Sequence, residues 1–343
     1  MQLYEIDPLG DSRWADLVER NSASSVFHTP QWLAALRRTY AYQPVAFTDA
    51  SAGEPLSNGL LFCRVRSWMT GRRLVSLPFS DHCEPLVESP AALESLADLL
   101  KARVRDEGRY IELRPLDAEL PVEGFTRTAG YCHHAIDLRP DATEIFARFH
   151  KNHVQRTIRK AQRSGLTLES GRSATHLTDF YALHALTRRR HKLPVQPLSW
   201  FQNLVECLGD DVRIFLARRQ GAAVAAMLTT THKKTLVYKY GCSDDSQHRY
   251  GGPSLLFWTA IQHAKRRGLI HFDLGRSDWD DPGLIAFKDH LGAQRKTLSY
   301  YRCSRDSSSS GRTRWWPSLG WAYSLAPRPL RETLGSGLYR HFG

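Results

Sequence analysis

The chain has 343 residues, 42% of them hydrophobic and 24% charged, which is too long for one small domain and too apolar for a disordered chain. Its opening, MQLYEIDPLGDSRW, lacks the basic-then-apolar order of a secretory leader, and no apolar run approaches the ~18 residues of a membrane span. A net charge of +12 turns attention to anionic partners.

No element is assigned before Gln43. From there strands are predicted at PVAFT, GLLFCRVRS and RLVSLPF, then a Pro-led helix from Pro90 to about Asp106, then strands at RYIELRP and YCHHAIDL. A second half opens with a helix from about Ala142 to Ser164 and a further helical stretch from Thr178 to about Cys207. Strands VRIFLA and AAVAAMLTT follow, joined by a turn at Gln220-Gly221. TLVYKYG, a helix from Pro253 to about Arg267, LIHFDLG, a short helix containing Phe287-Lys288 and TLSYYRC complete it. RLVSLPF–helix–RYIELR echoes TLVYKYG–helix–LIHFDLGR, each second strand carrying an acid and then an arginine (Glu112 and Arg114; Asp273 and Arg276), as in an internal duplication. The expected division is 1–138, 139–304, and a Ser-rich linker with an aromatic, basic tail over 305–343. That tail either packs on its own protein or touches an anionic membrane surface peripherally.

The six cysteines (Cys63, Cys83, Cys132, Cys207, Cys242 and Cys303) stand singly, which fits free thiols in a reducing cytoplasm. In Cys132-His133-His134 neighbouring strand residues point to opposite faces, so the three cannot share one ion and no metal is expected.

Three stretches could carry chemistry. In Arg249-Tyr-Gly251-Gly252-Pro-Ser254, glycines and a helix N-terminus suit a phosphate, with Arg249 as a fork, although Gly-Gly-Pro is also a common helix start. In RTIRKAQRSG, Arg156, Arg159, Lys160 and Arg163 fall opposite Val154, Ile158 and Ala161, with no acid at i±4 to relieve them. This is either a solvated face or the seat of an anionic substrate or RNA. From Arg148 to Lys192 eleven Lys/Arg stand against two acids. In FDLGRSDWDDPGLIAFKDHLGA, Asp273 leaves a strand at its carboxyl end, where open α/β sheets bind ligands. It reads as a loop-fixing acid or as a general base. Arg276 and Lys288 either pair with Asp278, Asp280 or Asp281 or grip an anion.

RTIRKAQRSGL, HKLPVQPLSWF, YGGPSLLFW and FDLGRSD…GLIAFKDHLGA, in that order, resemble the Fem family. Those are GNAT-like peptidyltransferases that build peptidoglycan cross-bridges, with relatives linked to exopolysaccharide and exosortase gene clusters. The resemblance covers about residues 140–303 well and the first half more loosely. It implies an α/β (α+β) fold of tandem GNAT-like domains, each a mixed central sheet flanked by helices. It also implies a donor in the cleft where strands splay, its phosphates on Arg249, Gly251, Gly252 and Ser254. Phe287 and Lys288 match the family's Phe-Lys pair, whose lysine contacts precursor phosphates; Arg276, Tyr240 and the basic helix would complete the substrate site.

The expected reaction is acyl or aminoacyl transfer to an amine, or in second place a hydroxyl, of a phosphorylated cell-envelope glycan or peptide precursor. Asp273 would take the proton, and Lys288 or backbone N–H groups would stabilise the oxyanion. No cofactor is expected to be tightly bound. The donor is aminoacyl-tRNA or acyl-CoA, and the long helical hairpin linked to tRNA in some Fem proteins is missing. The expected location is the cytoplasm, at the inner face of the membrane if the tail binds there. The alternatives are an acyl-CoA-dependent N-acetyltransferase of a small molecule, a non-enzymatic RNA or polyanion binder, and a scaffold of envelope polysaccharide assembly.

Overall fold

A computed structural model describes residues 2–68, 71–116, 122–304, Tyr339 and His341. Apart from those last two, the tail assigned to 305–343 lies outside the described residues. The chain forms two compact units, one comprising Met1–Tyr131 with the segment from Thr297, the other Cys132–Lys296. In chain order the elements are β1 (Tyr4–Ile6), α1 (Ser12–Arg20), α2 (Pro30–Tyr40), β2 (Gln43–Thr48), β3 (Leu60–Ser67), β4 (Gly71–Val75), α3 (Pro90–Glu107), β5 (Tyr110–Leu113) and β6 (Thr126–Asp137). Then come α4 (Ala142–Arg148), α5 (Arg156–Arg163), β7 (Leu166–Gly171), α6 (Ala174–Arg190), α7 (Leu198–Leu208), β8 (Val212–Arg219) and β9 (Ala222–His232). The series ends with β10 (Thr235–Ser243), α8 (Gly252–Arg266), β11 (His271–Asp278), α9 (Pro282–His290) and β12 (Gln294–Ser304). The passage between units falls within β6 and again within β12.

In the first unit the strand order is β1-β2-β3-β4-β5-β12, antiparallel except for the β4–β5 pair. Those two strands flank α3, so β4–α3–β5 is the crossover unit read from the sequence. Leu96 and Leu100 of α3 pack on Phe47, Phe62 and Ile111. Glu112, which is buried, takes charge-assisted bonds from Arg114 (2.7 Å) and Arg302 (2.6 Å). Burial works to raise its pKa, but the two guanidiniums outweigh it and hold the carboxyl below the usual value.

In the second unit the order is β6-β11-β10-β9-β8-β7. The Gln220-Gly221 turn joins β8 and β9 as expected, with both residues at positive φ. β10–α8–β11 repeats the crossover, and again the flanking strands are parallel. Ile145, Phe149, Val154 and Ile158 from the α4–α5 region pack with α8 against Phe272 and Leu274.

Two predicted helices prove to be broken. The stretch from Ala142 to Ser164 stops at Phe149, which is extended (φ −67, ψ 144), and restarts through a π-helical turn over Lys151–Gln155. Gln155 closes the break by donating its amide to the Phe149 carbonyl (2.8 Å). The other stretch ends at Arg190, because Pro194 and Pro197 cannot continue it; α7 restarts after Pro197. Outside the prediction lay β1, α1, α2 and the largely exposed edge strand β7.

Candidate acyl-transfer site

β10 and β11 pair only over Thr235–Val237 and His271–Asp273, yet β10 continues to Ser243 and β11 to Asp278. Beyond the third pair the strands part. A register shift between Tyr238 and Tyr240 marks a bulge against β9 just there. One extra residue reverses the alternation of side chains, so the two tyrosines serve opposite faces. The Tyr238 ring packs on Phe257 of α8 (centroids 5.0 Å), whereas Tyr240 lies against Phe201 of α7 (5.2 Å). The Tyr240 hydroxyl also accepts from Trp200 Nε1 (2.9 Å). His184, buried beside this cluster, bonds Gln196 Oε1 (2.8 Å), and burial pushes its pKa down to about 4.

β11 bends at the same level. Gly275 has φ +68, a left-handed conformation natural to glycine, and its N–H donates to Asp273 Oδ1 (2.7 Å). Asp273 Oδ1 also meets His133 Nε2 at 2.8 Å, and both side chains are buried. From α9, Lys288 is buried and donates through Nζ to the carbonyls of Gly275 (3.0 Å) and Arg276 (3.1 Å). Arg276 is half-buried, while Asp278, Asp280 and Asp281 are exposed. Asp281 caps α9 through the Leu284 N–H. Phe287, half-buried, rests edge-on against Phe257 (5.4 Å).

The glycine turn and the basic helix lie together. Gly251 has φ +72, and a Cβ there would come within 2.7 Å of Thr157 Cγ2 and 3.0 Å of the Thr157 carbonyl oxygen. A Cβ on Gly252 would meet Ala225 at 3.0 Å. Both glycines therefore let α5 and β9 close onto the start of α8. Ser254 is buried there, and the exposed Arg249 shares the Tyr250 ring with Arg219 (4.9 and 3.9 Å). On α5, Arg156, Arg159, Lys160 and Arg163 are exposed opposite the buried Ile158 and Ala161, with Val154 buried in the π-helical turn before them. Arg159 is also laid over the Phe146 ring (5.6 Å).

The second unit thus holds two groupings: the parted strands with the kink at Asp273 and Gly275 and with Lys288, and the glycine turn with the basic helix. Sequence reading missed His133 as the partner of Asp273, and His134, which meets Asp289 at 3.3 Å. His133 and His134 point to different partners, as strand alternation requires.

Among the described residues no helix is long and apolar enough to cross a membrane. Residues 148–288 match the family of acetyltransferase (GNAT) domains. Over 134 residues the chain is 29% identical to the UDP-N-acetylmuramoylpentapeptide-lysine N(6)-alanyltransferase of Weissella viridescens, a match spanning 38% of this chain and 40% of that enzyme's length. Among solved structures, FemX superposes with a TM-score of 0.69 at 14% identity, covering 89% of this chain and 97% of its own. A tandem GNAT protein from the clavulanic acid biosynthesis pathway gives 0.57 at 12% identity, with 90% and 100% covered. Residues 148–288 therefore match a GNAT acetyltransferase domain and are similar in part to a Fem-type alanyltransferase, within a chain that shares the fold of FemX and of a tandem GNAT protein.

Proposed function

We propose that this chain transfers an acyl or aminoacyl group to an amine of a peptidoglycan-precursor type of acceptor, using the gap between β10 and β11. The observation that carries the reading is the parting of these strands after Val237 and Asp273. It leaves backbone groups of β10 facing a cleft, where they can align an extended donor and hold the carbonyl that reacts. The amine attacks the donor's ester or thioester carbonyl, the carbonyl oxygen becomes an oxyanion, and the bond to the tRNA ribose oxygen or CoA sulfur breaks. Holding both reactants in line supplies several kcal/mol of the acceleration.

The activity of the Weissella relative, alanyl transfer to a lysine N6 of a UDP-linked muramoyl pentapeptide, supports an acceptor that combines an amine with phosphates. The exposed cations of α5 beside the α8 N-terminus give those phosphates, or the donor's, a complementary surface. In this reading Asp273 and Lys288 are positioning residues. Their polar atoms hold the β11 kink, which sets the width of the cleft; the amine loses its proton to water or to the departing group. Tyr240, on the α7 face, is the aromatic assigned to the acceptor side, whereas Phe287 packs against Phe257 on the α8 face. The acetyltransferase family match favours a second donor class, acyl-CoA.

Incubating the full chain with a lysine-containing UDP-muramoyl pentapeptide and either alanyl-tRNA or acetyl-CoA, followed by mass spectrometry, tests the reading and identifies the donor. An alanyl or acetyl increment on the acceptor is expected. An unmodified acceptor with both donors would count against it.

A further inference from the structure

Where α9 ends and the π-helical turn begins, three imidazoles converge. His150 precedes the turn, His153 lies within it, and His290 is the last residue of α9. The three ring centroids are 4.6 Å apart pairwise. One ligand-type nitrogen from each falls within 4.8 Å of the others. Backbone fixes the arrangement: the His150 N–H donates to the His290 carbonyl (2.8 Å). Just beyond, Gly292 (φ +65) would bring a Cβ within 3.1 Å of Arg148 Cβ, so the end of α9 seats closely on this segment.

We propose that His150, His153 and His290 form a binding site for a borderline divalent metal ion of the Zn2+ class. Imidazole nitrogen is a favoured ligand for such ions, and three protein ligands leave further positions open to water or an anion. Tetrahedral coordination at ~2.0–2.1 Å requires ligand nitrogens roughly 3.3 Å apart, so the present spread must contract. His150 and His153 are exposed and His290 half-buried, and χ rotation supplies the movement. His153 and His290 are stacked parallel (1°), so one ring must turn for an ion to lie in both ring planes. His150 Nδ1 receives two long N–H contacts, from Asn152 and His153 (both 3.3 Å). Ligation through Nε2 moves the proton to Nδ1, and those exposed donors turn to water. A bound ion would tie the end of α9, which carries Lys288, to the segment leading into the basic helix.

The test is titration of the full chain with Co2+, read by visible absorption and by displacement with Zn2+, together with the thermal midpoint with and without Zn2+. H153Q and H290Q keep every backbone bond named above, and circular dichroism checks their folding. H248Q, whose ring bonds Ser243 instead (2.7 Å), is the control. The expected result is one ion per chain, at least a tenfold loss of affinity in H153Q and in H290Q, and none in H248Q. The Zn2+-dependent rise in midpoint should be lost in the same two variants. Absence of saturable binding in the wild type, or binding unchanged in H153Q and H290Q, would overturn the site.

Discussion

The Lys288 ammonium lies 3.0 Å from the carbonyl oxygen of Gly275, the residue at which β11 bends away from β10. Its second bond, to the Arg276 carbonyl, spans the same peptide turn. Replacing Lys288 with methionine keeps most of its volume but leaves the buried Gly275 carbonyl and the part-buried Arg276 carbonyl without this donor. A loss of about 1–3 kcal/mol in stability is expected from urea unfolding. If the kink sets the cleft, turnover by the folded variant should fall more than its KM rises. A variant with wild-type stability and turnover would show that the bend holds without the lysine.

Gly251→Ala should cost roughly 1–3 kcal/mol, since the residue has φ +72 and its Cβ would press on the Thr157 backbone. Gly165→Ala is the comparison: φ is +73, but nothing lies within 4 Å of the new Cβ, so only the conformational penalty of about 1 kcal/mol remains. Denaturation midpoints of the two variants separate crowding from backbone strain. Equal losses would mean that α5 gives way freely.

His184 predicts a pH dependence. Its pKa in the folded protein is about 4, below its ordinary value of 6.5, so the unfolded chain takes up a proton that the native state refuses. The stabilisation is complete above about pH 6.5 and is lost as pH falls towards 4, amounting to about 3 kcal/mol. His263 shifts the same way, so the comparison with a His184→Asn variant isolates the contribution. Unfolding free energies at pH 7, 5.5 and 4 should fall less steeply in that variant. An unchanged slope would place the titration elsewhere.

Arg156→Gln with Arg159→Gln should weaken binding of a phosphorylated acceptor several-fold at about 50 mM salt and far less at about 0.5 M, because exposed charges are screened. Calorimetry at the two ionic strengths gives the comparison. Equal losses at both would point to the Arg159–Phe146 contact, and so to packing.

What could be read in the sequence follows from distance along the chain. The β10–α8–β11 unit and its counterpart β4–α3–β5 were legible, because β-rich runs, Pro-led helix starts and glycines are local signals. The basic face of α5 was legible too, since Val154, Ile158 and Ala161 keep a helical period. That same period hid the break before it, as apolar spacing carries on through the π-helical turn. Prolines 194 and 197 did mark the gap before α7, and the predicted helix ran through them. The pairing of Asp273 with His133 had no local signature, because the partners are 140 residues apart. The bulge that sends Tyr238 and Tyr240 to opposite faces depends on pairing with β9, which composition does not encode. The glycines at 251 and 252 illustrate the converse: a signal read as phosphate binding also meets a packing requirement of α5 and β9.

The most direct test of the account is a crystal structure of the full chain with a non-reactive donor analogue, either an aminoacyl-adenosine amide or an acyl-CoA carba-analogue. Its acyl end should lie between β10 and β11 beyond Val237 and Asp273, with phosphates, where present, towards Gly252 and α5. An analogue seated elsewhere, with the parted strands empty, would contradict it.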